Sequence, residues 1–377
     1  MGVTASMVDA DISEGAETSP EGEPSPPSRK SRSPFLTFGI GLTVELALCT
    51  SVLLGSQFLA PPAHRDAGIS IKIEPGAIAE SRPAPHFSLV EARSPGGHLV
   101  ADPALVEDSP FGPLPVIGPD GRLPMTAYAR PFDTKDKRPK IAIIIGGLNV
   151  SANNTKLALA RLPPAVTLAF VPFALDAQAA VDHAREAGHE VLLEVPMEPF
   201  DFPESDPGPH ALMVAASGPE NIRRLNWSLS RFTGYVGLTN LLGGRFMSEA
   251  ANLEPILQEA ARRGLLFVDD GASKSSVAPT AARRADVAIA TGTLILDDVQ
   301  SKDAIDKKLG DLEAEARRAG SAIATGSAFP VTVARIAAWA ESAEARGFQL
   351  VPVSAFAAKH PQQQQQASAN APASPKH

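Results

Sequence analysis

From Pro139 onward, short apolar runs alternate with segments whose apolar positions recur every three or four residues. This alternation is typical of parallel strands joined by helices. The predicted strands are 140–145, 166–173, 189–195, 235–239, 265–269, a run within 286–297, 321–325 and 348–353. About eight βα units favour an α/β fold, a deformed TIM-type (β/α) barrel. An open doubly wound sheet stays the alternative, because periodicity cannot show closure.

Capping residues mark where several of the predicted helices begin. Asp176 precedes one helix, and Ser217 with Glu220 has the spacing of a capping box. Ser301 opens a later helix, which is predicted to end near Gly320. These residues indicate where the connections between strands turn into helices.

A different apolar pattern covers residues 34–60, which contain a single charge, Glu45. The run is long enough to cross a hydrocarbon layer about 30 Å thick as one helix. Arg29, Lys30 and Arg32 precede it, so the positive-inside rule predicts a cytoplasmic N-terminus and an exported C-terminal domain. A cleaved signal peptide is the alternative, although the preceding leader carries six acids, unlike a short basic n-region.

The other segments lack a periodic apolar pattern. Residues 1–33 are predicted to be a disordered cytoplasmic tail, and 61–138 a Pro-rich, semi-rigid linker. Residues 359–377, with a run of five Gln, are predicted to be a disordered Gln/Pro-rich tail. The remaining range, 139–358, is predicted to be one folded domain.

Charge and cysteine content exclude several classes of site. The net charge is −8, and no dense Lys/Arg patch lies beside aromatic residues, so a nucleic-acid partner is not expected. The single cysteine, Cys49, lies within the apolar segment, which leaves no disulfide and no cysteine zinc site within the chain. A bound metal would therefore need oxygen or nitrogen ligands.

Acidic and amide side chains cluster where the predicted strands end, the end of a barrel that carries its chemistry. The candidates are Glu198, Asn240, Asp269, Asp270, Asp297 and Asp298. Together they could hold a cation, activate a water or accept hydrogen bonds from sugar hydroxyls. The alternative for any single Asp is a helix cap or a turn. No histidine ends a predicted strand, so no Ser-His-acid arrangement is predicted.

Six strings follow one another between residues 140 and 356: IAIIIGGL, LPPAVTLAFVPF, GHEVLLEVPMEPFDFP, GYVGLTNLLGGRF, GLLFVDDGAS and GFQLVPVSAF. In these strings the chain resembles the divergent polysaccharide deacetylase family. The resemblance implies a deformed barrel related to carbohydrate esterases, which remove N- or O-acetyl groups with a divalent metal. It also implies a glycan partner, such as peptidoglycan. Together with the topology predicted from 34–60, this gives a domain in the periplasm that is anchored to the bacterial inner membrane.

The chain departs from this pattern at the metal-binding positions. In the broader family, paired aspartates end the first strand, and histidines follow the fourth strand and end a late strand. The corresponding positions here are Gly146, Gly147, Leu241 and Ser327. Glycine and leucine bring no ligand atom, and serine is a poor ligand for zinc-type ions. The sequence therefore predicts a degenerate metal site and no cofactor.

Three hypotheses about function follow. The leading one is a membrane-anchored envelope protein that engages a glycan without turnover. Its candidate sugar-binding residues are Glu198, Asn240, Asp297 and Asp298. The first alternative is an active deacetylase whose site is rearranged around Asp269, Asp270 and Asp297 and holds a hard cation such as Mg²⁺ or Mn²⁺. Asp269 and Asp270 are its candidate catalytic residues, and the second alternative is a non-catalytic envelope scaffold.

Overall fold

The computed structural model describes residues 102–357. The predicted cytoplasmic tail, the predicted membrane segment at 34–60, residues 61–101 of the predicted linker and the C-terminal tail lie outside this range. Within 102–357, no helix combines the length and the apolar character needed to cross a membrane.

The elements of residues 102–357 alternate along the chain, as predicted. The strands are β1 (Val106–Ser109), β2 (Gly112–Pro115), β3 (Lys140–Leu148), β4 (Thr167–Phe170), β5 (Val191–Met197), β6 (Gly237–Leu242), β7 (Leu266–Asp269), β8 (Ile289–Thr291), β9 (Leu294–Ile295), β10 (Ser321–Ser327) and β11 (Gln349–Leu350). The helices are α1 (Pro124–Ala127), α2 (Ala152–Arg161), α3 (Ala177–Glu186), α4 (Gly218–Leu229), α5 (Ala250–Arg262), α6 (Ala278–Ala285), α7 (Lys302–Ala319) and α8 (Pro330–Ala340).

Strands β3 to β11 form one parallel sheet that curls on itself. Its neighbour order is β8-β7-β6-β5-β4-β3-β10-β9, and β11 pairs with the start of β3. The outermost strands β8 and β9 are separated in the chain only by Gly292 and Thr293. The N–H of Gly292 donates to Asp269 O and that of Thr293 to Ile323 O, both at 2.8 Å. The predicted α/β fold with a TIM-like parallel sheet is confirmed, and the strand order is not that of an open doubly wound sheet.

Alternation along each strand separates two apolar layers. On β5, Val191, Leu193 and Val195 pack in the cluster that includes the helices, whereas Leu192 belongs to the cluster inside the barrel. Successive side chains of a strand point to opposite faces, so Glu194 shares the inner side with Leu192. A carboxyl group is thereby placed within the barrel.

The helices cover the outer face of the sheet through one apolar stripe each. In α5 the buried residues are Leu253, Ile256, Leu257 and Ala260, the set predicted from helical spacing. Ser217 and Ser301 act as N-caps, as predicted, because their hydroxyls accept the backbone N–H three residues later. Asp176 precedes α3 but makes no side-chain cap bond, so that part of the prediction is wrong.

Residues 102–138 are packed against the barrel rather than extended away from it. Strands β1 and β2 form an antiparallel hairpin, and Leu105, Met125 and Tyr128 are buried with side chains of the barrel interior. The prediction of a Pro-rich spacer is therefore wrong for this part of 61–138. The apolar residues of 102–138 are separated by prolines and follow no regular period. Their burial therefore could not be predicted from hydrophobic periodicity.

Candidate functional site

A cavity of about 270 Å³ opens at the carboxyl ends of the barrel strands. Its lining comes from β3, β4, β5, β6, β9 and β10 and from the segments that follow β7 and β9. The polar side chains among the lining residues are Glu194, Thr239, Asn240, Asp270, Asp297, Thr325 and Ser327. Three of the predicted site residues, Asn240, Asp270 and Asp297, are thus brought together here.

Glu194 lies at the floor of this cavity and was not among the sequence candidates. Its side chain is 6% exposed, and its Oε2 accepts the N–H of Gly147 at 2.9 Å. Its Oε1 accepts no hydrogen bond from any residue in 102–357. A Cβ at Gly146 would lie 2.3 Å from this Oε1, so the carboxyl group occupies the space beside Gly146. The signal in the sequence is a single acid at an inward position of the apolar strand VLLEVPM.

The environment of Glu194 favours its protonated form. Burial raises the pKa of Glu194 from its usual 4.5 to about 8, and the nearby Asp270 acts in the same direction. The Gly147 N–H opposes the rise only in part. At neutral pH most Glu194 carboxyls therefore carry a proton and can donate a hydrogen bond into the cavity.

Asn240 and Asp270 join the ends of β6 and β7. Asn240 Oδ1 accepts the N–H of Asp270 at 3.0 Å, and Asn240 Nδ2 donates to Leu242 O at 2.8 Å. Asp270 Oδ1 accepts the N–H of Ala272 at 2.9 Å. Burial raises the pKa of Asp270, while the hydrogen bonds from Ala272 and Asn240 lower it. Asn240 therefore sets the position of the Asp270 carboxyl at the cavity wall.

Asp297 lines the opposite side of the cavity and accepts hydrogen bonds from two nearby residues. Its Oδ2 accepts the N–H of Ser327 at 2.8 Å and the hydroxyl of Thr332 at 2.9 Å. Burial raises the pKa of Asp297, and these two donors lower it. Asp297 thus fixes the end of β10 against the start of α8.

Two other predicted aspartates do not line the cavity. Asp269 Oδ1 accepts the N–H of Gly271 at 3.0 Å, and its Oδ2 accepts the hydroxyl of Ser276 at 2.7 Å. Asp298 pairs with Lys308 Nζ at 2.9 Å on the surface, and that hydrogen bond lowers the pKa of Asp298. The structure does not bring these two residues to the cavity, because the Asp269 carboxylate is bonded within its own connection and the Asp298 carboxylate is in an ion pair.

Glu198 is also outside the cavity lining and braces two loops. Its Oε1 lies 2.7 Å from Arg245 Nη1, and its Oε2 accepts the N–H of Val214 at 2.6 Å. Its side chain is buried. Glu198 therefore connects the loop after β5 to the loop after β6, and the structure does not bring it to the cavity that Asp270 lines.

The donor set does not fit the divalent metal that the resemblance implies. Gly146 pairs with Ser327 across β3 and β10. Two of the positions at which this chain lacks the metal ligands implied by the resemblance are thus neighbours at the cavity. Gly146 and Leu241 offer no ligand atom, and Asp297 Oδ2 already accepts two hydrogen bonds. No group of three or more His, Cys, Asp or Glu residues in the described part of the chain could hold a metal ion.

A second cavity, of about 450 Å³, adjoins the first and shares Leu242 and Ala272 with it. The rest of its lining is Pro199, Phe200, Asp201, Gly244, Ser273, Lys274 and Ser275. One wall is thus mainly apolar, and the other carries hydroxyl and ammonium groups.

Comparisons with known proteins agree on the fold of this region. Residues 143–357 match the model of a family described as divergent polysaccharide deacetylase. A crystal structure of an uncharacterized protein from Agrobacterium tumefaciens is similar, with 41% identity and a TM-score of 0.63. The similarity covers 65% of this chain and 99% of that one.

Two curated relatives are more distant. The uncharacterized protein YibQ of Escherichia coli is 28% identical over 194 residues, which is 52% of this chain and 60% of YibQ. An uncharacterized protein of Haemophilus influenzae is 26% identical over 196 residues, 52% of this chain and 69% of that protein. The chain therefore spans only part of the length of both relatives.

Proposed function

Because the chain belongs to the divergent polysaccharide deacetylase family, we propose that its barrel binds an envelope glycan such as peptidoglycan without metal-dependent deacetylation. The observation that carries this proposal is the Glu194 carboxyl group, which fills the space beside Gly146. A metal-binding side chain at position 146 would need that space. The chain keeps the family fold, and hydrogen bonds position the polar side chains of its cavity.

The polar groups of the cavity match those of an N-acetylated sugar. The protonated Glu194 carboxyl is a donor suited to an acetamido carbonyl, and Asp270 is an acceptor suited to an amide N–H or a hydroxyl. The remaining lining includes the apolar residues Ile144, Leu241, Leu242 and Ile295, so orientation of the ligand depends on the few polar groups. A cavity of this size suits one sugar ring.

The alternative of an active deacetylase built on Asp269, Asp270 and Asp297 has less support. Asp269 is used by Gly271 and Ser276, and Asp297 Oδ2 by Ser327 and Thr332. Asp270 and Asp297 both line the cavity, but Asp297 Oδ2 already accepts two hydrogen bonds, whereas Asp270 Oδ1 accepts one. A hydrolytic metal site normally needs about three protein ligands and a water.

A matched pair of variants tests the proposed binding. Asp270→Asn removes a carboxylate from the cavity wall, and Asp298→Asn removes one from the surface nearby. We expect the full chain to bind N-acetylglucosamine oligomers and to sediment with peptidoglycan. Asp270→Asn should weaken this binding about tenfold or more, whereas Asp298→Asn should not change it. Metal-dependent acetate release from the same glycans, lost in Asp270→Asn, would establish the hydrolase instead.

The proposal extends to the location of the chain. Residues 34–60 form a single-pass anchor in the bacterial inner membrane, and the barrel lies in the periplasm. The length of the apolar run and the cations Arg29, Lys30 and Arg32 before it support this topology. A reporter fused after Ala60 should be exported, and reporter activity confined to the cytoplasm would refute the anchor.

A further inference from the structure

The amino end of the barrel, opposite the cavity, buries a charged side chain whose hydrogen bonds are incomplete. Arg185, on α3, is 1% exposed, and its Nη1 donates to Tyr128 O. Its Nε and Nη2 are also buried, and neither donates to any residue in 102–357. Buried polar groups in folded proteins nearly always have a hydrogen-bond partner. The two nitrogens therefore indicate a site for an acceptor that does not come from residues 102–357.

Nε and Nη2 lie on the same edge of the guanidinium group, and such an edge binds an anionic group through two parallel hydrogen bonds. Other arginines of residues 102–357 show this geometry. Arg223 donates from Nε and Nη2 to the two carboxylate oxygens of Glu220, at 2.8 and 2.7 Å. Arg262 and Glu259 form the same kind of pair. The edge of Arg185 that lacks a partner is thus the one that these arginines use to hold an anion.

The charges around Arg185 leave this region positive. Glu190 is the carboxyl group whose charge acts on Arg185, and burial raises the pKa of Glu190. Glu190 Oε1 accepts the N–H of Ser354 at 3.0 Å, and Oε2 accepts the N–H of Arg130 at 3.2 Å. The guanidinium group of Arg130 interacts with the same carboxyl group. One carboxyl group therefore faces two guanidinium groups, and a buried charge without compensation is costly.

A cavity of about 410 Å³ opens beside these charged side chains. Its lining includes Ala129, Arg130 and Ser354, and the last two form hydrogen bonds with Glu190. Ala129 directly follows Tyr128, whose carbonyl oxygen accepts from Arg185. The cavity thus brings small ions from the solvent to the layer of side chains that surrounds Arg185.

We propose that Arg185 Nε and Nη2 bind one small inorganic anion, of the size and charge of chloride. A water molecule accepts from both nitrogens equally well, but it leaves the positive charge uncompensated. Because both nitrogens are buried, a monatomic anion fits the site better than a phosphate or a carboxylate. Arg185 belongs to the barrel and Tyr128 to the segment that covers it, so the anion stabilises the contact between them. This inference is independent of the proposed glycan binding.

The dependence of stability on chloride tests this site. The full chain is unfolded in urea, in sodium chloride and in sodium gluconate at the same ionic strength, because gluconate is too large for a buried site. We expect chloride at about 100 mM to lower the unfolding equilibrium constant about tenfold, as for a site half-filled at about 10 mM. Arg185→Met should remove this chloride effect. Arg283→Met, at an exposed arginine of α6, is the control and should keep it.

Anomalous diffraction gives a direct readout that does not depend on a folded variant. Crystals of the full chain grown in sodium bromide should show an anomalous peak within hydrogen-bonding distance of Arg185 Nε and Nη2, because bromide replaces chloride at such a site. Equal stability in chloride and gluconate would overturn the proposal, and so would a chloride effect that persists in Arg185→Met. A water at this edge, with no bromide, would show that the partner is neutral and would also overturn it.

Discussion

At the scale of single residues, the position of the Glu194 carboxyl group requires a glycine at position 146. The carboxyl group of Glu194 stands 2.3 Å from where a Cβ at position 146 would lie, a separation at which atoms cannot coexist. Neighbouring Gly147 donates its N–H to the same carboxyl group and has a φ of 72°, in the left-handed region that favours glycine. The two glycines thus provide the room and the donor that the buried acid requires.

Substitution of Gly146 by alanine tests this dependence. Gly146→Ala should lower the free energy of unfolding by about 1 kcal/mol, because the Cβ displaces the end of the Glu194 side chain from its hydrogen bond with Gly147. In a Glu194→Ala background, Gly146→Ala should lower the free energy of unfolding much less. Urea unfolding of the wild type, the two single variants and the double variant measures this difference. Gly310→Ala, in α7 where an added Cβ meets no atom within 4 Å, is the control and should not destabilise. An equal cost of Gly146→Ala in both backgrounds would contradict the interpretation.

The raised pKa of Glu194 predicts a dependence of stability on pH. The folded state keeps the proton up to about pH 8, whereas the unfolded chain loses it near 4.5. Over that window the folded state binds more protons, so its stability falls as pH rises. The loss for this one buried group is on the order of 3–5 kcal/mol.

Glu194→Gln should remove this part of the pH dependence. The amide carbonyl still accepts the Gly147 N–H, and no ionisation remains at that position. The variant should match the wild type at pH 5 and exceed it in urea unfolding at pH 8.5. Asp270, whose pKa burial also raises, stays in both proteins, so the comparison reports Glu194 together with its electrostatic coupling to Asp270. Parallel stability curves from pH 5 to 8.5 would show that the Glu194 pKa is not raised.

At the scale of elements, the connection from β7 to α6 depends on Asp269. Its two oxygens accept from Gly271 and Ser276, which closes the turn after the strand. Asp269→Ala should lower the free energy of unfolding by about 1–3 kcal/mol, since two donors lose their partner. Asp298→Ala, which removes a surface acid, should change it by less than about 1 kcal/mol. Loss of glycan binding in Asp269→Ala at unchanged stability would instead place Asp269 in the binding site.

The elements show what could be predicted from the sequence and what could not. Buried strands such as 140–145 and helices such as Leu253–Ala260 were recognisable, because their apolar periods follow from backbone geometry. Glu194 was missed because a parallel strand is apolar on both faces, so alternation does not reveal which side faces the barrel interior. Asp297 and Asp298 are adjacent in the chain, yet only Asp297 faces the cavity. Which of two adjacent side chains faces the cavity depends on the local direction of the backbone, which the sequence pattern does not show.

At the scale of the whole molecule, residues 102–138 belong to the folded unit. Arg185 is 1% exposed, its Nη1 donates to Tyr128 O, and its guanidinium lies 5.4 Å from the centre of the Tyr128 ring. Burial lowers the pKa of Arg185 to about 10. The segment therefore covers a charged group that would otherwise have to be hydrated at the amino ends of the strands.

Two fragments test where the folded unit begins. A fragment of residues 102–357 should unfold in urea cooperatively, whereas 139–357 should have a lower midpoint or fail to fold. The shorter fragment loses the burial of Leu105, Met125 and Tyr128, and each lost side chain costs about 1.5–3 kcal/mol. Limited proteolysis of the full chain should accordingly leave a core that retains residues 102–138. Identical midpoints for the two fragments would restore the boundary near Pro139.

The pairing of β3 with β10 also constrains when the barrel can form during synthesis. Lys140 lies opposite Ser321, and Gly146 lies opposite Ser327, so the first barrel strand to leave the ribosome waits for nearly the last. Until then one edge of β3 has unpaired N–H and C=O groups, which can template pairing with another chain. Closing a loop of this length costs chain entropy, and this cost slows the formation of the β3–β10 pair. A chain whose β10 has not yet paired with β3 is therefore the species of this protein most prone to aggregate through a strand edge.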